Sequence, residues 1–300
     1  MRQRCFLILA LLMTSLWTAG FSQEVLRIDE QVESVKVGKH LHYLLVDEAL
    51  IEEEVLSGVH DHRFQKSEKD ALNFGVTTST LWIKFSVDNQ GQFSERILRI
   101  KNALLDNVKL YRQDHQGEWT LTEAGDQFVF DRRRIKDHDH CFRLLLPGGQ
   151  QKDYYLRFET AGSMQIPLVL HSLQDYQKTV LINEWSYGLF TGAMLIMVFY
   201  NLFLFFGLKD KSYLAYSLFI FLNLLLMNSY SGHNFKYFFG NYPEVAALSI
   251  PILMALIPFT VSICKSFFKN KKGASPLWQC TYKLTKIFIL FNSSCHATCS

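Results

Sequence analysis

The side chains best suited to chemistry fall into a few short groups. His60-Asp61-His62 and Asp137-His138-Asp139-His140 join imidazole to carboxylate, the donor set that holds zinc and similar ions. Neighbouring residues in a strand point to opposite faces, so each group offers at most two ligands per side. Solvated polar turns are the expectation for both, and no metal site is assigned. Arg132-Arg133-Arg134 could grip an anionic ligand through planar guanidinium forks; the simpler reading is a charged surface stretch. Trp82, Tyr111 and Tyr155 fall on the polar side of alternating runs. Exposed there, with Arg157 beside Tyr155 in sequence, they could stack a sugar ring or hold another small ligand. The plainer alternative is that this side packs against a second sheet or a partner chain. Trp82, Tyr111, Arg132, Tyr155 and Arg157 are the candidate ligand-binding residues. Cys141 lies in a strand pattern and reads as a small packed residue. Cys295, His296 and Cys299 form a weak partial metal set in the tail. No Gly-rich phosphate loop, Gly-x-Ser-x-Gly or His-Glu-x-x-His occurs, so no catalytic residue and no cofactor is expected, and the chain reads as a non-enzyme.

The elements that must position these residues alternate with period two. In Leu81 to Asp88, Leu81, Ile83, Phe85 and Val87 take one face and Trp82, Lys84, Ser86 and Asp88 the other. Val108 to Arg112, Phe142 to Leu146 and Tyr154 to Glu159 repeat the pattern, and Ile166, Leu168 and Leu170 share another face. Turn signals such as Asp88-Asn89-Gln90-Gly91 and Pro147-Gly148-Gly149 separate them. Short amphipathic strands with regular turns predict an all-β jelly roll or β-sandwich over 23–180.

The rest of the 300 residues differs in charge and polarity. The whole chain carries a net +3, which argues against nucleic acid as a partner. Residues 23–184 hold 20 Lys+Arg against 26 Asp+Glu, whereas 185–300 hold nine Lys against two acids. Residues 1–22 place Arg2 and Arg4 before an apolar run ending in small residues, the form of a secretory signal peptide. Uncharged runs at 185–208, 212–235 and 245–264 are long enough to cross a bilayer as helices. Lysines at 209 and 211, and at 265, 269, 271 and 272, place those two loops inside and the β domain outside the cytoplasmic membrane. Asn201, Asn223 and Asn228 are expected to face other helices and hydrogen-bond there. A fourth apolar run within 281–300 stops at Asn292, and its polar tail reads as a truncated or frame-shifted end.

An ordered series of segments carries a family resemblance over about 25–291. It includes His40 to Leu44, Asn73 to Phe85, Leu104 to Tyr111, Gly125-Asp126 with the Arg132 region, Leu146 to Gly149, and Tyr155 to Glu159 running on to Leu168. In the apolar half it includes Gly188 to Gly192, Tyr200 to Leu204 and Asp210 to Leu214. The chain resembles the bacterial seven-transmembrane receptors with diverse intracellular signalling modules, with their type 2 extracellular domain. The resemblance implies a jelly-roll sensor domain for a carbohydrate or other small ligand, joined to a seven-helix receptor. It also implies a cytoplasmic output module, which these 300 residues are expected to lack.

The expected function is a multi-pass membrane sensor that binds a small ligand outside and passes a conformational signal across the bilayer to an unidentified cytoplasmic partner. The competing reading is a transporter or channel component. That would need ionisable residues within spans or inverted repeats, and the three complete runs contain no acid and no lysine.

Overall fold

The computed structural model describes residues 25–48, 50–114 and 116–269, with side chains to residue 263. The expected signal peptide at 1–22, the fourth run at 281–300 and the Cys295/His296/Cys299 set lie outside the described residues.

Thirteen strands form a β-sandwich over 26–172, as the alternation predicts. The larger sheet joins β3 (Leu41–Val46), β4 (Gln65–Lys66), β6 (Thr80–Asn89), β8 (Asn107–Gln113), β9 (Trp119–Ala124) and β11 (Gln150–Glu159) in the order β4-β3-β6-β11-β8-β9, with β1 (Leu26–Ile28) added parallel to the far end of β6. The facing sheet has the order β10-β7-β13-β2, from β10 (His140–Leu146), β7 (Ser94–Ile100), β13 (Leu168–Ser172) and β2 (Ser34–Lys36). A small pair, β5 (Leu72–Val76) and β12 (Ser163–Ile166), closes one side. Pro167 divides β12 from β13: it has no N–H to donate, and its carbonyl takes the amide of Lys101 instead.

Inward positions fill the space between the sheets. Leu81, Ile83, Phe85 and Val87 of β6 are fully buried, and they share one cluster with Leu98, Leu110, Phe142, Leu144, Leu156, Phe158 and Leu170. The outward face of the larger sheet is packed, as in the plainer alternative, but against a segment of its own chain and not a second sheet or a partner. Trp82 is 0% exposed, and Tyr111 and Tyr155 are 3% exposed. The segment 47–64, with its short helix α1 (Glu52–Leu56), crosses that face and seals it with Val55 and Phe64. Trp82 stacks on Tyr111 at 5.6 Å, and Trp119 meets Tyr155 edge-on at 5.4 Å. Arg157 lies over Trp82 and reaches Glu52 of α1 at 2.7 Å, and Lys109 reaches the same carboxylate at 3.0 Å. The three aromatics are thus a second apolar core, not an exposed stacking surface, covered by chain that is remote in sequence from β8 and β11.

Helix α2 (Leu173–Leu208) begins directly after β13. Ser172 caps it, its side chain accepting the amide of Asp175 at 3.1 Å. The stretch from 173 to 184, between the last strand and the first uncharged run, is part of this helix. At 1.5 Å per residue, α2 runs about 54 Å, well beyond about 30 Å of hydrocarbon. A tight turn with Lys209 in the left-handed region leads to α3 (Lys211–Tyr230). That helix stops short of the expected 235: Gly232 turns the chain at φ +75°, and a π-helical turn (Phe235–Phe239) precedes α4 (Pro243–Lys269). Among the described residues, three helices are long and apolar enough to cross a membrane.

Two of the three asparagines find their hydrogen-bond partner on their own helix and not on a neighbour. Asn201 donates to Met197 O at 2.8 Å and Asn223 to Phe219 O at 2.7 Å, each on its own helix one turn back. Asn201 and Asn228 are buried and Asn223 half-buried. Hydroxyls make the bonds between helices: Ser217 donates to Val198 O at 3.1 Å, and Ser229 meets Ser249 at 3.2 Å.

Trp82→Ala is expected to lower the stability of the sandwich by about 3–5 kcal/mol, the cost of emptying a core aromatic site. Thermal unfolding followed by near-ultraviolet circular dichroism reads this. A loss within about 0.5 kcal/mol would return Trp82 to the surface.

Candidate functional site

One open end of the sandwich holds a cleft of about 210 Å³. Strands β8 and β9 of the larger sheet and β10 of the smaller one form its walls, and the segment 125–135 crosses it. Arg112, Arg132, Arg133, Arg134 and Arg143 line it, against one acid, Glu123. Two of these arginines are fastened to the frame. Arg112 donates to Thr120 Oγ1 and to the carbonyl of Arg143, and Arg143 pairs with Glu95. Arg132 and Arg134 are exposed and make no ion pair among the described residues; Arg132 rests over the ring of Phe128. Free guanidinium forks above a framed, positive cleft suit an anionic group.

Arg133 faces the other way. It is 7% exposed, and its Nη1 donates to the carbonyls of Asp137, His138 and Asp139 at 2.9, 3.1 and 3.4 Å. Its guanidinium lies over Phe130 of the cleft segment and over Phe235 of the turn before α4. Burial lowers its pKa to about 10 against the pull of Asp126 and other acids, so it stays charged. Burial and the nearby Arg133 charge hold His140 well below the ordinary histidine value, hence neutral. Burial, then Asp137, pushes the Cys141 thiol up, so Cys141 is no nucleophile.

The segment Asp137 to His140 corrects an expectation. It is not a solvated turn: Asp137, Asp139 and His140 are buried. Arg99 of β7, 1% exposed, binds Asp139 through Nε at 2.8 Å and lies 4.0 Å from Asp137. Tyr176 of α2 donates to Asp137 at 2.6 Å, and His171 pairs with Asp175 at 2.6 Å. Hydrogen bonds and nearby cations hold Asp137 far below the usual carboxylate range despite burial. His60-Asp61-His62 remains a polar turn, with His60 on Glu54 and Asp61 on Lys84.

This network continues into the helices. Gly232 packs against Ala103 and His138, so closely that a Cβ there would lie 2.5 Å from Ala103 Cβ. The amide of Phe130 donates to Gly240 O at 2.8 Å. Glu184 of α2 pairs with Lys236 and accepts from Tyr237, both at 2.7 Å. The turn between α3 and α4 therefore lies on the sandwich side.

The five candidate binding residues do not form one site. Arg132 lines the cleft, whereas Trp82, Tyr111, Tyr155 and Arg157 belong to the second core. Arg99, Tyr176, Glu184 and His233 went unassigned in the sequence. The available signals were Glu184 as the last acid before an uncharged run, and His233 beside Lys236 at the end of another.

Residues 39–172 match the 7TMR-DISM extracellular 2 domain, and residues 183–299 match the domain described as 7TM diverse intracellular signalling. Among solved structures, that of TmCBM61 in complex with beta-1,4-galactotriose is similar at 10% identity and a TM-score of 0.27, covering 47% of this chain and 99% of that one. A GH31 alpha-xylosidase from Xanthomonas citri is similar at 11% identity and a TM-score of 0.22, covering 44% of this chain and 15% of that one. No curated protein matches.

Asp126, on the segment that crosses the cleft, carries a pH signature. Burial and the neighbouring Asp106 push Asp126 up to about 7 from 3.8. The folded chain then keeps a proton that the unfolded chain releases, so this group costs stability as pH rises from about 4 to about 7. Asp126→Asn, which imitates the protonated acid, is expected to gain stability over the parent, reaching about 1–3 kcal/mol at pH 8 and fading towards pH 4. Melting curves of both proteins across that range check it; a pH-independent difference would remove the proton from the argument.

Proposed function

The chain belongs to the 7TMR-DISM receptors, and from that premise we propose that the arginine cleft is where it senses a small anionic ligand. The sandwich over 26–172 would be the extracellular sensor, with spans within 173–208, 211–230 and 243–269 of a multi-pass protein in the cytoplasmic membrane. A leader at 1–22 would export the sensor. The output partner lies on the cytoplasmic side.

The observation that carries this reading is the position of Arg133. Its neighbours Arg132 and Arg134 are free at the cleft, while Arg133 itself grips the 137–139 backbone and covers Phe235 next to the helices. A ligand that draws Arg132 and Arg134 inward pulls on the same short segment. Such a pull shifts the receptor only if the ligand binds one arrangement better than the other. A carboxylate or phosphate is the group that a guanidinium pair recognises, and an acidic saccharide unites this with the sugar expected from the family resemblance. The reading is of a binding receptor rather than an enzyme.

The test is a thermal-shift panel on the full chain in detergent, with neutral saccharides, acidic saccharides and small carboxylates and phosphates. Acidic compounds are expected to raise the melting temperature, as any ligand selective for the folded state does. Arg132→Ala and Arg134→Ala are each expected to weaken binding about 10- to 100-fold, the worth of a charge-assisted hydrogen bond or two. Shifts with neutral sugars alone, or shifts untouched by both substitutions, would overturn the assignment.

A further inference from the structure

Three side chains from three elements converge where the sandwich meets the helices. His138 comes from the segment before β10, Glu184 from α2, and His233 from the turn after α3. His138 Nδ1 and His233 Nε2 each lie 3.9 Å from the same oxygen, Glu184 Oε1. One ligand atom from each residue falls within 4.8 Å of the other two. Both ring nitrogens are buried and have no hydrogen-bond partner among the described residues. His138 Nδ1 also lies 2.9 Å from Asp137 Oδ1, so a second carboxylate stands beside the first. A buried polar nitrogen left unpartnered is costly, so two aimed at one carboxylate call for an occupant.

We propose that His138, Glu184 and His233 form a binding site for a divalent transition-metal ion of the zinc class, bridging the sensor domain to the first two membrane helices. Two neutral imidazoles and a carboxylate are the ligand set of many zinc sites, which leave a fourth position for water or another group. Asp137 Oδ1 is the nearest such group. Ligand atoms around a tetrahedral zinc stand about 3.4 Å apart, given bonds of about 2.1 Å. The 3.9 Å gaps therefore close by roughly half an ångström. The two imidazoles, stacked at 4.5 Å, must also fan apart so that both lone pairs meet the ion. Tyr237 already orients the carboxylate from its other oxygen at 2.7 Å, the outer support that metal ligands commonly receive.

Lys236 is the competitor. Its ammonium lies 2.7 Å from Glu184 Oε1 and neutralises it. A metal ion must displace this cation, and that makes the proposal specific. Substituting Lys236 should tighten metal binding, whereas substituting any ligand should abolish it. The site does not depend on the cleft reading, and its test uses no cleft ligand.

The experiment is titration of the full, tag-free chain in detergent with Co²⁺, followed by visible absorption, and with Zn²⁺, followed by calorimetry. The expected result is one ion per chain, with the d–d bands of a low-symmetry cobalt site. His233→Ala and Glu184→Gln should weaken affinity at least 100-fold, and Lys236→Ala should strengthen it about tenfold, the effect of removing about 1.4 kcal/mol of competition. Circular dichroism of each variant before metal addition identifies any that fail to fold, and Lys236→Ala leaves all three ligands in place. Absence of cobalt bands in the parent at millimolar metal would overturn the proposal. So would affinity unchanged in His233→Ala, or weakened in Lys236→Ala.

Discussion

Arg99 carries a full positive charge on a side chain that is 1% exposed, and a cation so placed must be paired by the protein. Its partners all come from elsewhere. Asp139 takes Nε, Asp137 lies at the far end of the guanidinium, and Asp137 accepts the Tyr176 hydroxyl from α2. One buried charge thereby fixes β7, the 137–139 segment and the root of the first membrane helix relative to one another. Arg133 repeats the arrangement from the cleft side, donating to the carbonyls of those same three residues. Losing one partner would strand a charge in the interior, a far greater penalty than the net worth of the pair. The 137–139 segment is accordingly the place where the geometry of the sandwich and that of the helices are set together.

That constraint matters because nothing soft separates the two parts. Strand β13 ends at Ser172 and helix α2 begins at Leu173. Displacement of the smaller sheet is displacement of the helix, within the compliance of one capped turn. The cleft spans the edges of both sheets, so an occupant there bears on their relative position. A receptor built this way needs no hinge. It needs two packings of the same interface that a ligand binds unequally.

Much of the fold was legible in the sequence. The alternation from Leu81 to Val87 marks a strand with one buried face because its period matches the pleat, and 24 uncharged residues from Trp185 mark a span because a bilayer excludes charge. The candidate site was much less so. Trp82, Tyr111 and Tyr155 share strand faces with polar residues, a pattern that fits either solvent or a covering layer; the crossing of 47–64 buries them, and no window around Trp82 contains it. Asp137 to His140 was misread for the converse reason. Charged runs are usually solvated, yet here each carboxylate has a buried cation or a tyrosine hydroxyl waiting on a strand or helix about 40 residues away. Asn201 was assigned to a neighbouring helix because an amide in lipid needs a partner; its own helix supplies one four residues back. Arg132 was picked out for its forks, and its segment does line a cleft, but Arg133 carries the opposite task one residue along. A strand-like alternation of direction separates the two roles, and sequence alone does not say which side is water.

Contact between sandwich and helices is also made at backbone range, which bears on how stiffly the two are coupled. Gly232 adopts a left-handed φ of +75°, and a methyl group there would meet Ala103 at 2.5 Å. Phe130 and Gly240 share a main-chain hydrogen bond, and a Cβ on Gly240 would come within 2.9 Å of Phe130 Cβ. Long side chains could slide or change rotamer to absorb a displacement; two backbones in contact leave little such slack. A shift of the 125–139 segment is therefore transmitted to the α3–α4 turn as well as to α2. Two attachment points on different helices convert a tilt of the sandwich into a relative movement of those helices, whereas a single attachment would let the bundle follow as one body.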